Sequence, residues 1–307
     1  MTGIKSFGIY LPLWRLPLGL ISPGLKGEKA VAGADEDSVT MAVTASLECL
    51  NGINRDEVDG IIFATTTAPY AEKQLATLIA SAVDIREDIF TLDIGGSLKG
   101  GTGALMVAAN MVKAGAARNI LVVAADRRTG SPGSPLGMFV GDGAAAILVG
   151  KDNVLAEFEE GFSVANEMMD VWRHSSQNFV QAWENRFSLG QGYQKIMIGT
   201  IKGLMAKQHL KASDYSKLAV YRPDMRSPVQ VAKKLGFDPK TQIQDSPLHK
   251  MGNIGSPQPL LLLAQALKDT GEGERIVVGG YGGGGDALCF RTTSDIKNGY
   301  ERRGLND

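Results

Sequence analysis

Cysteine is nearly missing from this sequence, with two among 307 residues, and histidine is almost as scarce at three. Two thiols cannot build a disulfide framework, so a reducing compartment is the expected setting. No His, Cys or Asp cluster falls at metal-ligand spacing, and no metal or cofactor is expected. Long apolar runs are also lacking; the most apolar stretch, 260–264, is far too short to span a bilayer. The opening residues carry no basic-then-apolar leader and read as a strand. Neither sign of charge dominates, since 32 Lys and Arg stand against 33 Asp and Glu. That balance gives no field for nucleic acid or an anionic membrane, so neither is expected as a partner. Together these absences predict a cytoplasmic protein.

Glycine is plentiful at 38 residues and gathers at strand ends, which favours an α/β fold with tight turns. The chain exceeds the usual single-core size, so two similar halves or one large layered domain are expected. Residues 3–11 read as a first strand, followed by a Pro/Gly-rich stretch to about residue 35. Asp37 or Ser38 can cap a helix whose apolar stripe is Val39, Val43, Leu47 and Leu50. A strand at 60–64, a helix over 69–83, a central strand, a helix over 100–114 and a strand from Asn119 follow. The half closes on G-D-G-A-A-A-I-L-V-G.

The second half repeats that order. Helix 193–207 and strand 217–221 mirror helix 38–50 and strand 60–64. Helix 256–268 and strand 274–281 mirror helix 102–113 and the strand from Asn119, and G-G-G-G-D-A-L-C-F-R mirrors the closing strand. The offset is roughly 140–160 residues, too long for a solenoid, and points to duplication of a whole domain. Strands alternating with helices predict a sheet covered on both faces and mostly parallel. The predicted organisation is an N-terminal half over 1–150, an insertion over 151–192, and a C-terminal half over 193–307 with a polar tail after Arg291.

The stretch over 91–107, T-L-D-I-G-G-S-L-K-G-G-T-G-A-L-M-V, organises the chain. It runs from strand through a glycine turn into a helix. A residue on such a turn meets the N–H groups and macrodipole of a helix N-terminus, where a thiolate nucleophile is stabilised. Leu98 stands there, between Ser97 and Lys99.

The duplicated plan, this strand–turn–helix elbow and the G-D-G-A turn resemble the thiolase superfamily. The resemblance is closest to the archaeal type of 3-hydroxy-3-methylglutaryl-CoA synthase and covers nearly the whole chain. The stretches carrying it are D-E-D-S-V-T-M-A-V, A-P-Y-A-E-K, L-K-G-G-T-G-A-L, A-D-R-R-T-G-S-P-G, W-R-H, R-F-S, K-G-L-M, V-A-K-K-L-G-F and G-N-I-G-S. It implies a five-layer αβαβα fold of two duplicated halves with mixed, mostly parallel sheets, and dimerisation through that fold. It also implies a reaction in which an elbow Cys takes an acyl group from acyl-CoA. A Glu helps form a carbanion, and a His and an Asn orient the second thioester. Position by position, the Cys falls on Leu98, the Glu on Thr66, the His on Tyr221 and the Asn on Asn253. An aliphatic side chain cannot attack a thioester, and groups that act as a unit fail together.

Several other residues are of chemically capable types. Ser97 reads as a turn or capping residue rather than a substitute nucleophile, and Lys99 as ion-paired rather than ligand-steering. Cys49 and Cys289 read as small buried hydrophobes. His249, four residues before Asn253, is the histidine nearest the vestigial site and a candidate relocated base, although a plain loop role is the better reading. His174 and His209 read as surface residues. Asn253 is equally compatible with site geometry and helix capping. Tyr221 and Arg222 read as a plug for the pocket, ahead of a site for a carboxylate or phosphate.

The expected role is that of a non-catalytic subunit partnered with a thiolase-type catalytic subunit and a small zinc-ribbon/OB-fold protein, with acyl-CoA as the ligand class. The alternatives are an acyl-CoA enzyme working without a covalent intermediate through Asn253, Tyr221 or His249, and a regulatory protein that binds a CoA ligand.

Overall fold

The computed structural model describes residues 1–299. Strand β1 (Thr2–Tyr10) leads into a hairpin of β2 (Trp14–Pro17) and β3 (Glu28–Val31), which occupies the Pro/Gly-rich stretch. Then come α1 (Ser38–Cys49), β4 (Gly60–Ala64), α2 (Leu75–Ala82), β5 (Phe90–Ile94), α3 (Gly100–Ala114), β6 (Asn119–Arg127), α4 (Pro135–Phe139) and β7 (Asp142–Lys151). The chain continues through β8 (Ala156–Ala165), the two-residue strands β9 (Val171–Trp172) and β10 (Gln181–Ala182), and α5 (Asn185–Phe187). A π-helical turn (Ser188–Gln194) then runs into α6 (Lys195–Gln208). It ends with β11 (Lys217–Val220), α7 (Ser227–Leu235), α8 (Leu248–Met251), α9 (Gln258–Lys268), β12 (Arg275–Tyr281) and β13 (Gly284–Thr292).

Nine strands form one sheet in the order β11-β12-β13-β8-β1-β7-β6-β4-β5. The order β5-β4-β6-β7-β1 recurs on the other side of the β1/β8 seam as Ile243, β11, β12, β13 and β8. There Ile243 contributes only an isolated bridge to Leu218. The sheet is mixed. Parallel pairing is confined to β5-β4-β6 and β11-β12, and the five pairings from β6 across to β12 are antiparallel. The parallel share is therefore smaller than the alternation of strands and helices implied. Strands β7 and β8, and β12 and β13, follow one another through short turns with no crossover helix.

Three cores give the layers. One lies between the half-sheets and is filled by α3 and α9, with Ala104, Ala108, Leu260, Leu263 and Ala264 against Ile62, Val122, Ile147, Val278 and Leu288. A second packs α1 and α2 on the outer face of β4, β6 and β7. A third packs α6 and α7 on the outer face of β11–β13. The stack is α-β-α-β-α. At its centre α3 and α9 approach so closely that a Cβ on Gly101 would lie 2.6 Å from the Ser256 carbonyl oxygen.

Several local expectations need correction. Asp37 caps α1, its carboxylate accepting from the Val39 and Thr40 amides at 2.8 Å. The buried face of α1, however, is Val39, Met41, Ala42, Ala45 and Cys49, and Leu47 is 41% exposed. Small residues form that face because Gly8 of β1 comes against the Ala45 carbonyl. Helix α2 begins at Leu75 rather than residue 69. Its first turn is capped from β5, where the Asp93 carboxylate accepts from the amides of Leu75 and Ala76 at 2.6 and 2.7 Å. That long-range cap leaves no local signature. The expected insertion over 151–192 divides: β8 belongs to the large sheet, between β1 and β13, and only 166–192 leaves it. The polar tail is also shorter than expected, since β13 runs to Thr292 and a 3-10 turn (Ser294–Gly299) follows; 300–307 lie outside the described residues.

Candidate functional site

The elbow between β5 and α3 forms as the glycine pattern predicts, with Gly96 at φ 74° and the helix opening at Gly100. Leu98 projects from it, half-buried against the third core. Opposite lies Gly282, whose φ of 152° and 2.8 Å Cβ approach to the Leu98 amide leave no room for a side chain.

The residues beside Leu98 are committed to structure. The Ser97 hydroxyl donates to the Gly282 carbonyl at 2.7 Å, which ties the elbow to the β12–β13 turn. Lys99 Nζ pairs with Asp286 at 2.9 Å, and that buried carboxylate also accepts from Ser163 (2.8 Å) and Thr102 (3.1 Å). Both residues therefore behave as their sequence context suggested.

Thr66 follows β4 and gives its hydroxyl to Asp126 Oδ1 at 2.9 Å and its amide to the same oxygen at 2.6 Å. Thr65 and Thr67 donate there too, and the Ser256 amide donates to Oδ2 at 2.7 Å. Asp126, fully buried at the end of β6, is thus a node joining the β4 end to the turn that opens α9. The sequence alone does not mark it out as a site residue; its one signal is an acid at the C-terminal end of an otherwise apolar strand.

Asn253 and Tyr221 are in contact. The Asn253 amide donates to the Tyr221 hydroxyl at 2.8 Å and to the Arg222 carbonyl at 3.2 Å, while its own carbonyl accepts from the Gly255 amide at 3.0 Å. Tyr221 is one of three packed tyrosines. Tyr193 meets Tyr281 edge-on at 5.4 Å between centroids, Tyr221 and Tyr281 stack at 6.4 Å, and the Tyr193 hydroxyl donates to the Tyr221 carbonyl at 2.5 Å. Burial pushes the Tyr193 and Tyr221 phenols above the ordinary tyrosine range, so both stay protonated. Arg222 is buried, and that burial lowers its pKa. It donates from its amide to the Gln258 side chain at 2.8 Å and from its guanidinium to the Gln244 carbonyl.

A cavity of about 310 Å³ opens in front of this wall, lined by Leu98, Thr66, Ser97, Arg128, Asp170 and Arg173 among others. Leu98 and Thr66 are thus brought together on one cavity. Tyr221 and Asn253 lie behind it and do not line it. His249 is exposed on α8 and lines a separate cavity of about 420 Å³ with Asp245 and Lys268, which removes it from the site. His174 is exposed on the 166–192 excursion, and His209 is the left-handed C-cap of α6. Neither cysteine lines the Leu98 cavity. Cys49 faces the second core, 3.4 Å from the Ser6 hydroxyl. Cys289 faces the third core beside Glu159, and burial raises its thiol to about 12. Among the described residues no cluster of three or more His, Cys, Asp or Glu could hold a metal ion, and no helix is long and apolar enough to cross a membrane.

Residues 92–165, from β5 to β8, match the family profile of 3-oxoacyl-[acyl-carrier-protein] synthase III. The hydroxymethylglutaryl-CoA synthase of Archaeoglobus fulgidus is 33% identical over 97% of this chain and 91% of its own length. This chain belongs to the hydroxymethylglutaryl-CoA synthase family. The Caldivirga maquilingensis member is 31% identical over 96% of this chain and 89% of its own length. Among solved structures, 3-oxoacyl-[acyl-carrier-protein] synthase III of Aquifex aeolicus superposes with a TM-score of 0.86 at 22% identity, over 95% of this chain and 100% of that one. A hydroxymethylglutaryl-CoA synthase crystallised with CoA gives 0.86 at 20% identity, over 99% and 85%. Those likenesses establish the thiolase-like fold, which the layer order already displayed. The family is one of thiolase-fold condensing enzymes.

Proposed function

We propose that this chain is a hydroxymethylglutaryl-CoA synthase-like subunit that no longer condenses acyl groups through a cysteine thioester. On this reading it is the non-catalytic partner of a thiolase-type catalytic subunit in an acyl-CoA-processing complex, together with a small zinc-ribbon/OB-fold protein. The observation that carries the reading is Leu98 at the elbow, on the wall of the cavity where an acyl thioester would enter. No thiol replaces it: Cys49 lies in the second core, and Cys289, in the third core beside Glu159, does not line the cavity. Thr66, in the place of the Glu, spends its hydroxyl on Asp126 and is no base. Tyr221, in the place of the His, is held protonated behind the wall. Asn253 survives as the support of Tyr221. A docking edge for the catalytic subunit is available at β5, the outermost strand, whose Phe90 is 43% exposed.

The test is turnover. The purified chain, given acetyl-CoA and acetoacetyl-CoA, is expected to release no CoA, whereas the chain isolated with its natural partners carries acyl-transfer activity that resides in the partner's own cysteine. Condensation by the purified chain alone would overturn the reading. A second reading, a regulatory protein that binds a CoA ligand, is favoured by the open 310 Å³ cavity itself. Tight CoA binding without partner or turnover would select it.

A further inference from the structure

Next to the Leu98 cavity lies a second, more apolar depression of about 490 Å³, between the end of β8 and α6. Val164, Met168, Phe187 and Ile196 line it, with Lys195 and Gly199 along the α6 side. Phe187 is 52% exposed there. Gly199 sits in the interior of α6, where glycine costs about 1 kcal/mol relative to alanine. Packing does not account for it, since a Cβ at 199 would meet nothing within 4 Å. The contrast is with Gly203, one turn later, where a Cβ would strike the Phe162 ring at 2.2 Å. A glycine that keeps a groove free of side chain, in a groove the chain itself leaves empty, points to an occupant that packs there.

The groove adjoins the site. Met168 lines both hollows and is the partition between them, and a methionine side chain with three rotatable bonds moves aside at little cost. The cavity side supplies a polar lining for a head group, Arg128 and Arg173 with Glu167 and Asp170 beside them, Arg173 also donating to the Thr66 and Gln177 carbonyls, and the groove side supplies apolar walls. We infer that the two hollows form one site for a ligand with a single straight apolar chain, a medium- or long-chain carboxylic acid or its thioester. The head lies beside Leu98 and the chain passes Met168 into the groove along Gly199. This rests on the acyl-thioester reading of the cavity but not on the absence of condensation.

The test is calorimetric titration of the full chain with acetyl-, octanoyl- and dodecanoyl-CoA and with octanoate and dodecanoate. Affinity is expected to rise by about fourfold for each methylene that enters the groove. A rise for both the free acids and the thioesters assigns the chain as the recognised part; a rise for the thioesters alone adds the thioester head. Gly199→Phe fills the groove and should erase the rise while the thermal midpoint is kept, and Met168→Ala should steepen it. Equal affinity for acetyl- and dodecanoyl-CoA would overturn the inference. So would an undiminished rise in Gly199→Phe, or a change of oligomeric mass in that variant without a change in binding. None of these results bears on turnover, so failure here is distinguishable from failure of the non-catalytic reading.

Discussion

The two halves share one strand order but treat the openings of their central helices differently. In the first half, the turn before α3 stands at a cavity and exposes Leu98 to it. In the second, the turn before α9 is sealed: Asn253 and Ser256 are buried, and the Ser256 amide is held by Asp126 from the other half. The outer edges differ too. The first half ends on the five-residue strand β5, whereas the second ends on a single bridge at Ile243. A duplicated frame has thus been divided into one half that presents a surface and one that braces it. That division is compatible with the non-catalytic role proposed above.

The bracing can be broken first. Asp126→Ala would leave the hydroxyls of Thr65–Thr67 and the Ser256 amide without an acceptor at the junction of the halves. A loss of about 3–5 kcal/mol is expected in urea unfolding, as for other broken buried networks. An unchanged midpoint would remove Asp126 as the brace. Gly101→Val tests the central layer, because its Cβ meets backbone at Ser256 that cannot step aside; about 3 kcal/mol is expected.

A smaller effect concerns pH. Asp142, buried at the start of β7, has its carboxyl raised to about 6 by burial, although its Oδ2 accepts from the Ala32 amide at 2.8 Å. The folded state then holds a proton that the unfolded chain releases at ordinary carboxylate pH. Stability from this group is full below about pH 4 and is lost as pH rises through 6, a change on the order of 3 kcal/mol. Asp142→Asn should flatten that stretch of the stability–pH curve, and an unchanged slope would locate the titration elsewhere. Smallest of all, Gly199→Ala should stabilise by up to about 1 kcal/mol by melting temperature, since the site is open and helical. A loss there would mean the groove wall is packed.

How much of this was legible in the sequence follows from the range of the interactions. The elbow, the Asp37 cap and the repeated order of elements are written in local spacing, and the structure carries all three. The start of α2 was not, because Asp93 caps it from another strand. Strand β8 reads as part of an insertion in the sequence because its burial alternates irregularly and its partners, β1 and β13, are distant in sequence. At the site, Leu98 and Thr66 were legible as positions in an elbow and a strand end. The tyrosine wall was not, since Tyr193, Tyr221 and Tyr281 meet only after three separate elements pack. His249 is near the site only by its sequence distance from Asn253, which the turn through α8 undoes.

The most direct measurement is intact-mass analysis of the native chain after incubation with acetyl-CoA, with Leu98→Cys run alongside. The native chain is expected to keep its mass, and Leu98→Cys to take an acetyl group without condensing it, since Thr66 gives its hydroxyl to Asp126 and Tyr221 does not line the cavity. A stable acetyl adduct on the native chain would contradict the account.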